Sequence, residues 1–305
     1  MLTQTVSVVI PHYGDPLPTK NLVSSIREQV RQLGGSVVVV DDASPVPLGE
    51  VEGATVIRRK VNGGFGAAVN NGMAVVETDL VAILNSDLIV GNDLLESWLE
   101  AATPWLPAVV APQVVTYGHI GATTFRFPGP STVLAQGTNL VAVRRASRWA
   151  SRLIGEDLPS NPASTHVVDW VSGAAMLLPA ETFRSVGGFD ERFHMYLEEV
   201  DLQRRLRDRG VPAVYVGHVR VEHVGFGSSD QAKRERWALE SWLRYADKWG
   251  WQGRLKVAVA VAAYINLATD GLRRVLGRDV QPVTDWRRRR SLSHDVWTSQ
   301  ARRES

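Results

Sequence analysis

The sequence predicts an α/β fold built on a sheet of buried parallel strands, and two observations lead to this prediction. Short apolar runs that end in polar residues alternate with segments whose apolar residues recur at helical spacing, as in βαβ units. The first unit runs from the strand VSVVI (6–10), through a helix over 17–33, to the strand VVVV (37–40). These uninterrupted apolar runs are typical of parallel strands buried on both faces.

The remaining elements follow in order along the chain. Further strands are expected at 80–84, 109–115, 167–176 and 213–216, and helices at 230–248 and 254–277. Between them, residues 116–165 are rich in Gly, Pro, Ser and Thr, with a basic helix around 144–152. Long, weakly patterned segments in compact enzymes are often lids or binding loops, so we expect one there.

Composition and charge limit the class of protein. The chain has 305 residues, 44% of them hydrophobic, and no cysteine, which excludes a disulfide framework and a thiolate metal site. Residues 271–305 carry nine arginines and four carboxylates, so this tail has a net charge of +5 and the rest of the +2 chain has −3. A mildly acidic body argues against nucleic acid as the main partner.

Two features bear on location. Residues 1–5 lack the basic region of a signal peptide. The longest apolar run, 257–265, is nine residues, whereas a spanning helix needs about 20. We therefore expect a cytoplasmic chain that does not cross a membrane.

The loops that follow three of the predicted strands at their carboxyl ends hold candidate ligand-binding residues. They are Pro11, Tyr13, Asp41, Asp42, Ser86 and Asp87. Ligands of open α/β sheets bind beyond these ends, so the residues are candidates for a nucleotide site. Asp87, a lone acid after a buried strand, is suited either to hold a divalent cation against a diphosphate or to cap a turn. The first loop lacks G-x-G-x-x-G, which disfavours a nicotinamide dehydrogenase.

A glycine-rich loop, RRKVNGGFG (58–66), opens a helix. Asn62 and Gly63 lie in this loop. Its glycines would let the backbone approach a phosphate or a sugar ring. Taken alone, the loop is better explained as a tight strand-to-helix turn.

The segment GGFDERFHMYLEEVDLQRRLRDRG (187–210) mixes carboxylates and aromatic residues unusually closely. Its second half predicts a helix with Glu198, Glu199 and Asp201 in the first turn, where free N–H groups and the helix dipole favour ionised carboxylates. An ionised carboxylate at the end of an apolar loop can act as a general base. Capping of the helix, with pairing to the arginines that follow, is the alternative.

Seven motifs in order carry a resemblance to a known family. They are VSVVIPHYG, VVVVDDAS, NGGFGAAVNNG, LNSD, VDWVSGAAMLL, the 187–210 segment and EHVGFGSS, spanning about 6–229. This series resembles the inverting glycosyltransferases of family 2, whose GT-A fold joins a Rossmann-like nucleotide-binding sheet to an acceptor-binding half. FRFP with VDWVSGA is most similar to actinobacterial rhamnosyltransferases that act on polyprenyl-diphosphate-linked sugars. The resemblance implies a catalytic domain over 1–229, divided at 115, and a C-terminal helical extension over 230–305.

The resemblance also implies a role for each candidate residue. Donor binding falls to Pro11, Tyr13, Asp41, Asp42, Asn62, Gly63, Ser86 and Asp87, and acceptor binding to Trp170, Ser172 and Gly173. Asp87 and His223 would ligate Mg²⁺ or Mn²⁺. Glu198-Glu199 stands where the family usually has Glu-Asp, so the base would be Glu199, one methylene longer, with Asp201 as a further contributor.

The expected function is therefore metal-dependent, inverting transfer of a sugar from a nucleotide diphosphate to a lipid-linked or cell-envelope glycan acceptor. A sugar-1-phosphate nucleotidyltransferase is one alternative, but the first loop is not the glycine-rich, lysine-containing loop that it needs. A non-catalytic nucleotide-sugar-binding module is another, because Glu199 replaces the usual Asp.

The C-terminal extension has two interpretations. Its apolar helix over 254–277 is followed by Trp286 and by four arginines, 287–290. Tryptophan and arginine beside an apolar helix indicate peripheral contact with the inner face of the plasma membrane. The alternative is that the helix packs on the catalytic body or on a second subunit of a homodimer.

Overall fold

The structure is a computed structural model that describes residues 4–139, 148–157, 161–225 and 230–304. The chain divides into two compact units. The sheet unit comprises 1–126 and 157–229, and the helical unit comprises 127–156 and 230–305.

The sheet unit contains strands and short helices in alternation. Its strands are β1 (Val6–His12), β2 (Val37–Asp41), β3 (Thr55–Arg58), β4 (Leu80–Leu84), β5 (Leu88–Ile89), β6 (Val109–Thr116), β7 (His119–Ile120), β8 (Thr124–Phe125), β9 (Thr165–Val168), β10 (Trp170–Val171), β11 (Ala175–Pro179) and β12 (Ala213–His223). Its α-helices are α1 (Pro16–Gln32), α2 (Phe65–Met73), α3 (Leu94–Ala102), α6 (Ala180–Ser185) and α7 (Glu198–Arg207).

The main sheet has the order β3-β2-β1-β4-β11-β6-β12-β5. The strands β3, β2, β1 and β4 are parallel, whereas β11 is antiparallel to both β4 and β6. The prediction of an α/β fold is confirmed. The parallel arrangement brings the carboxyl ends of β1, β2 and β4 to one edge of the sheet.

Alternation along the strands builds a core on each face of the sheet. On β1, Val8 and Ile10 pack into the cluster that contains the apolar residues of α1 and α3, while Val9 packs into the cluster with those of α2 and α7. Successive side chains of a strand point to opposite faces, so a strand buried on both sides must be apolar throughout.

Helix α7 is fixed to the sheet unit by Gln203. This buried side chain accepts a hydrogen bond from the Val171 N–H (2.8 Å) and donates one to the Val171 carbonyl oxygen (2.8 Å). Its amide nitrogen also lies 3.1 Å from the Glu199 carbonyl oxygen. The two-way contact to β10 sets where the first turn of α7 lies.

Several elements differ from the sequence prediction. The last strand continues from 213 to 223 as one element, and β5, β7 and β8 are additional. The strand expected at 167–176 is divided among β9, β10 and β11. Strands of two to four residues are too short to show a period. Of the basic helix predicted at 144–152, residues 148–153 form a helix, and 144–147 lie outside the described residues.

The helical unit joins two separate stretches of chain. Its helices are α4 (Pro130–Gly137), α5 (Arg148–Leu153), α8 (Gln231–Lys248), α9 (Gln252–Val275) and α10 (Pro282–Glu304). Residues 127–156, which the sequence assigned to the acceptor half, thus group with the C-terminal helices. Buried polar contacts explain this: the Asn266 side chain donates to the Gly137 carbonyl (2.8 Å), and Asn139 N–H donates to Asn266 Oδ1 (2.6 Å).

Helix α10 was not predicted, because it is polar on most of its circumference and shows no apolar stripe.

Helix α9 is the one helix of the described residues that is long and apolar enough to cross a membrane, judged by length and composition. The sequence argument from a nine-residue run missed this, because isolated polar residues interrupt the apolar positions of α9.

We expect Gln203→Ala to lower the free energy of unfolding by about 2–4 kcal/mol, because it leaves the buried N–H and carbonyl of Val171 without their partner. Urea unfolding followed by far-ultraviolet circular dichroism measures the change. Gln32→Ala, at an exposed position of α1, is the matched control and should cost less than about 0.5 kcal/mol. Equal costs for the two variants would contradict this role of Gln203.

Candidate active site

The loop after β4 faces the end of β12. Strand β5 pairs antiparallel with β12, with Leu88 opposite His223, and this pairing places His223 Nε2 3.0 Å from Asp87 Oδ1. Asn85 Nδ2 lies 3.4 Å from the same ring nitrogen. The two residues predicted to bind a metal are therefore adjacent, although 136 positions separate them in the sequence.

The metal-binding atoms of Asp87 and His223 would fill only part of the coordination shell of a divalent cation. Within the described residues, no group of three or more His, Asp or Glu side chains is placed to hold a metal. One carboxylate and one imidazole leave most of a six-coordinate shell to other ligands. Mg²⁺ is commonly held by one or two carboxylates together with substrate phosphates and water, so the pair suits a cation that arrives with a diphosphate.

Asp41 is buried at the carboxyl end of β2. Its carboxylate accepts hydrogen bonds from the N–H groups of Ser44 (2.8 Å) and Leu48 (3.1 Å) and from the Arg58 guanidinium. Burial alone would raise the pKa of Asp41, but the hydrogen bonds outweigh it and lower the pKa below the ordinary value. Asp41 is thus an ionised anchor for the 42–48 loop.

Asp42 organises the glycine-rich loop. One carboxylate oxygen accepts from Arg59 (2.7 Å) and from the Gly63 N–H (3.0 Å), and the other accepts from the Gly64 N–H (2.8 Å). Gly64 has φ +87°, and a Cβ there would lie 1.7 Å from the His194 carbonyl oxygen. Only glycine fits this position, and it brings the loop against the carboxylate segment.

Two of the residues predicted to bind the donor have polar groups that a substrate could contact. Asn62 Oδ1 is buried and, within the described part of the chain, accepts no hydrogen bond. Tyr13 follows β1 and is 41% exposed. Pro11 lies in β1 beside Val40 of β2. Direct contacts of Pro11, Tyr13, Asp41, Asp42, Asn62, Gly63 and Ser86 with a nucleotide stay predictions.

Glu198 and Glu199 open α7 with buried oxygens. Glu198 is 4% exposed and Glu199 is half-buried, and Oε2 of each accepts no hydrogen bond from any described residue. Burial raises the pKa of Glu198 well above its ordinary value, and the neighbouring Glu199 carboxylate raises it further. Burial also raises the pKa of Glu199, but the N–H groups of Glu199 and Val200 oppose that rise.

A turn between β10 and β11 joins the carboxylate to the loop after β4. Gly173 lies against Glu199, so that a Cβ on it would be 3.3 Å from both Cβ and Cγ of Glu199. The next residue, Ala174, accepts a hydrogen bond from the Asn85 N–H (2.9 Å). Glu199 and the Asp87 loop thus border the same turn, and the missing side chain at Gly173 leaves room for the longer glutamate stem.

The other predicted acceptor ligands flank this turn. Trp170 stacks on Phe125 with ring centroids 4.2 Å apart, and its indole N–H donates to the Arg126 carbonyl (2.9 Å). The Ser172 hydroxyl accepts from the Ala174 N–H (3.3 Å). A flat aromatic pair next to a carboxylate is suited to a sugar ring, and acceptor binding by Trp170, Ser172 and Gly173 stays a prediction.

Asp201 has a structural environment. It is fully buried, and its carboxylate pairs with the Arg205 guanidinium at 2.8 Å. Arg205 also donates to the carbonyls of Val186 (2.6 Å) and Gly188 (2.8 Å). This pair joins α7 to the loop that precedes it, and a catalytic role for Asp201 is untested.

The turn into α7 has an unusual backbone. Tyr196 and Leu197 both have positive φ, +73° and +65°, which bulky residues rarely adopt. Such conformations persist only where the surroundings enforce them, and they cluster at functional sites. The hydrogen bonds of Asn70 to the backbone of Phe189 (2.9 Å in both directions) hold the same segment from the side of α2.

Sequence reasoning missed three contributors to the site. Gln203 orients α7, Arg58 neutralises Asp41, and Phe125 supports Trp170. A buried glutamine five residues after a paired carboxylate gives no sequence signal. Phe125 lies in FRFP, a motif whose partner could be known only once β8 and β10 are paired.

Comparison with known proteins identifies the family. Residues 7–140 match Glycosyl transferase family 2. These residues form a family 2 glycosyltransferase domain. The match covers β1 to β8 and α1 to α4, and therefore includes the Asp41-Asp42 and Asp87 loops but not Glu199.

Relatives and a solved structure agree with this identification. A pre-mycofactocin glycosyltransferase of Mycobacterium tuberculosis is 34% identical over 68% of this chain and 41% of its own length. An N-acetylglucosaminyl-diphospho-decaprenol L-rhamnosyltransferase of the same organism is 31% identical over 53% of this chain and 56% of its own. This chain spans about half the length of these relatives.

The fold matches as well. A crystal structure of GalNAc-T7 with UDP, GalNAc and Mn²⁺ superposes with a TM-score of 0.57 and 14% identity, over 80% of this chain and 48% of that one. At this identity the likeness concerns the fold alone. The predictions of a family 2 domain and of a GT-A fold are confirmed.

We expect Glu198→Gln to raise the melting temperature at pH 8 but not at pH 5. The raised pKa of Glu198 means that its contribution to stability is complete below the ordinary pKa of 4.5 and is lost progressively as pH rises towards the folded-state pKa. Glutamine does not ionise and therefore avoids this loss. Differential scanning fluorimetry from pH 5 to 8 measures the difference.

Glu100→Gln, at an exposed position of α3, controls for the substitution itself. Its melting temperature should follow that of the unmodified protein at every pH. A Glu198→Gln difference that is constant with pH would contradict the raised pKa.

We expect Gly173→Ala to reduce turnover by about tenfold, because the new Cβ, 3.3 Å from Cβ and Cγ of Glu199, displaces that side chain by a few tenths of an ångström, and a shift of about 1 Å in a reacting group can cost a hundredfold. Steady-state kinetics measures kcat, and calorimetry measures donor binding, which should be kept. Gly129→Ala is the control, since a Cβ there meets nothing within 4 Å. Unchanged kcat in Gly173→Ala would show that Glu199 is not positioned by this contact.

Proposed function

We propose that this protein is a metal-dependent, inverting glycosyltransferase that moves a sugar from a nucleotide diphosphate to a lipid-linked or cell-envelope glycan acceptor. One observation carries the proposal: a carboxylate with a buried, unpaired oxygen borders the same turn as the loop that would hold the donor diphosphate. The family 2 domain and the glycosyltransferase relatives support it.

The reaction assigned to this site is a single displacement. Glu199 takes the proton of the acceptor hydroxyl while that oxygen attacks the anomeric carbon from the face opposite the diphosphate. The bond from the anomeric carbon to the diphosphate oxygen breaks, and its electrons leave with the nucleoside diphosphate. One displacement inverts the anomeric centre without a covalent sugar-enzyme intermediate.

Glu198 supports this role by staying protonated. Two adjacent buried carboxylates do not both ionise readily, and Glu199 is the better placed to carry the charge, because it is less buried than Glu198 and the N–H groups of Glu199 and Val200 favour its ionised form. A base whose pKa is raised by burial also accepts a proton more readily than an ordinary carboxylate does. We therefore assign proton removal to Glu199. Glu198 is assigned a supporting role, in which it stays protonated and leaves the negative charge on Glu199.

Asp87 and His223 would hold the divalent cation. When bound, Mg²⁺ or Mn²⁺ would neutralise charge that develops on the leaving diphosphate. An imidazole ligand suits Mn²⁺ better than Mg²⁺, because Mg²⁺ prefers oxygen ligands. Mn²⁺ is therefore the first cation to test.

Rhamnose and a diphosphate-linked lipid are the first donor sugar and acceptor class to test. The name of one M. tuberculosis relative specifies both an L-rhamnosyl group and a decaprenol diphosphate acceptor. We further infer that the protein is cytoplasmic and contacts the inner face of the plasma membrane peripherally, since such acceptors are anchored in lipid.

We expect Glu199→Gln to lower kcat by about 10²–10⁴-fold, the usual contribution of a general base, while donor affinity is kept. A thermal-shift screen of UDP-, GDP- and dTDP-sugars with Mn²⁺ selects the donor, and release of nucleoside diphosphate then gives the rate. Glu198→Gln is the matched neighbour and should keep most of kcat, because glutamine resembles a protonated glutamate.

Three results would contradict the proposal. The first is that the protein neither binds nor turns over any nucleotide sugar in the screen. Full turnover in Glu199→Gln would assign proton removal to a different residue. Release of pyrophosphate from a nucleoside triphosphate and a sugar phosphate would identify a nucleotidyltransferase instead.

A further inference from the structure

Helix α9 exposes an apolar stripe along its length. We define the α9 stripe as Val257, Val261, Tyr264, Leu272 and Val275, which recur at intervals of three, four or eight residues and so lie on one side of the helix. Val257 is 63% exposed, Leu272 62% and Val275 84%. Exposed apolar residues are ordinary when scattered, but a continuous stripe of them indicates a binding surface.

The opposite side of α9 is fixed within the helical unit. Leu255, Ala258 and Ala262 are buried there, and Asn266 and Asp270 bond to the polar groups of residues 137–139. Only 28% of the most apolar 18-residue stretch of α9 is buried. A helix held by protein on one side and apolar on the other is suited to lie on a membrane surface rather than to cross it.

The border of the α9 stripe has the residues of a membrane interface. Trp286 of α10 lies 5.9 Å from Tyr264, ring centre to ring centre, and the Arg290 guanidinium lies 5.2 Å from the Trp286 ring. Residues 271–290 carry seven arginines and two aspartates. Three of these arginines also bond within the helical unit: Arg273 to Asp270, Arg288 to Glu235, and Arg289 to Gly137 and Asn139. Amphipathic aromatic rings favour the headgroup level, and each nearby arginine is attracted to anionic lipid.

A shallow groove opens beside the stripe, with a cavity volume of about 390 Å³. It lies between α4 and α9, and Leu134, Val257 and Val261 line it. Arg254 is at its edge and is exposed. An apolar groove edged by a cation suits an acyl chain whose headgroup is negatively charged.

We propose that the α9 stripe, with Trp286 and the surrounding arginines, binds the surface of an anionic bilayer. Charge complementarity selects this partner over a second copy of the chain, since two such faces would bring their arginines together. Binding rests on the helical unit alone. Only its purpose, to bring the protein to a lipid-linked acceptor, rests on the proposed function.

The test is co-sedimentation of the full chain with vesicles of phosphatidylcholine, with or without about 30% phosphatidylglycerol, whose anionic headgroups give the vesicle a negative surface potential. We expect binding to the anionic vesicles that weakens as salt rises. Val257→Glu should reduce the partition coefficient at least tenfold, because it places a carboxylate in the apolar contact. Arg254→Gln with Arg274→Gln should reduce it about thirtyfold.

Val75→Glu is the matched control, because Val75 is an exposed valine of the sheet unit and is not part of the helical unit that carries the α9 stripe. It should bind vesicles like the unmodified protein. Circular dichroism and donor-induced thermal shifts confirm that each variant is folded, so loss of vesicle binding with the thermal shift intact separates this proposal from the proposed function.

Two outcomes would overturn the proposal. The first is a full chain that does not sediment with anionic vesicles, or that does so equally well with Val257→Glu. The second is a lipid-free dimer in analytical ultracentrifugation that Val257→Glu dissociates while vesicle binding is unaffected, which would make the stripe a subunit interface.

Discussion

One close backbone approach holds the candidate active site together. Asp42 fixes the Gly63–Gly64 turn through both carboxylate oxygens, and Gly64 then lies against the His194 carbonyl with no space for a Cβ. This contact joins the loop after β3 to the segment that carries Glu198 and Glu199. Gly64 and His194 are 130 positions apart in the sequence, and their contact helps to bring the glycine-rich loop and the carboxylate segment together.

The carboxylates themselves oppose folding, and the rest of the site compensates for them. Buried carboxyl groups without hydrogen-bond partners are costly, and two consecutive residues with positive φ add backbone strain. Gln203, the Asp201–Arg205 pair and Asn70 hold this segment from three sides. A site that stores unfavourable groups in a well-held frame is what general base chemistry requires, since an unpaired carboxylate is available to a substrate.

The sequence could predict most of the sheet but only part of the site. Buried parallel strands such as β1, β2 and β4 leave an unmistakable apolar run, and their polar ends mark the ligand edge. The proximity of Asp87 and His223 depends on the two-residue strand β5, which is too short to leave a pattern. Likewise, the Gly173 contact with Glu199 depends on the path of a turn, which the sequence does not show. Helix α10 forms through its packing in the helical unit rather than through a periodic pattern of its own.

The interrupted course of the helical unit has a consequence for biosynthesis. Residues 127–156 leave the ribosome well before 230–305, so α4 and α5 must wait for the last quarter of the translation product to find their partners. During that interval Asn139 and the Gly137 carbonyl lack Asn266, which later satisfies them. A nascent chain halted near residue 229 would therefore expose an unfinished helical layer, a natural target for chaperones and proteases.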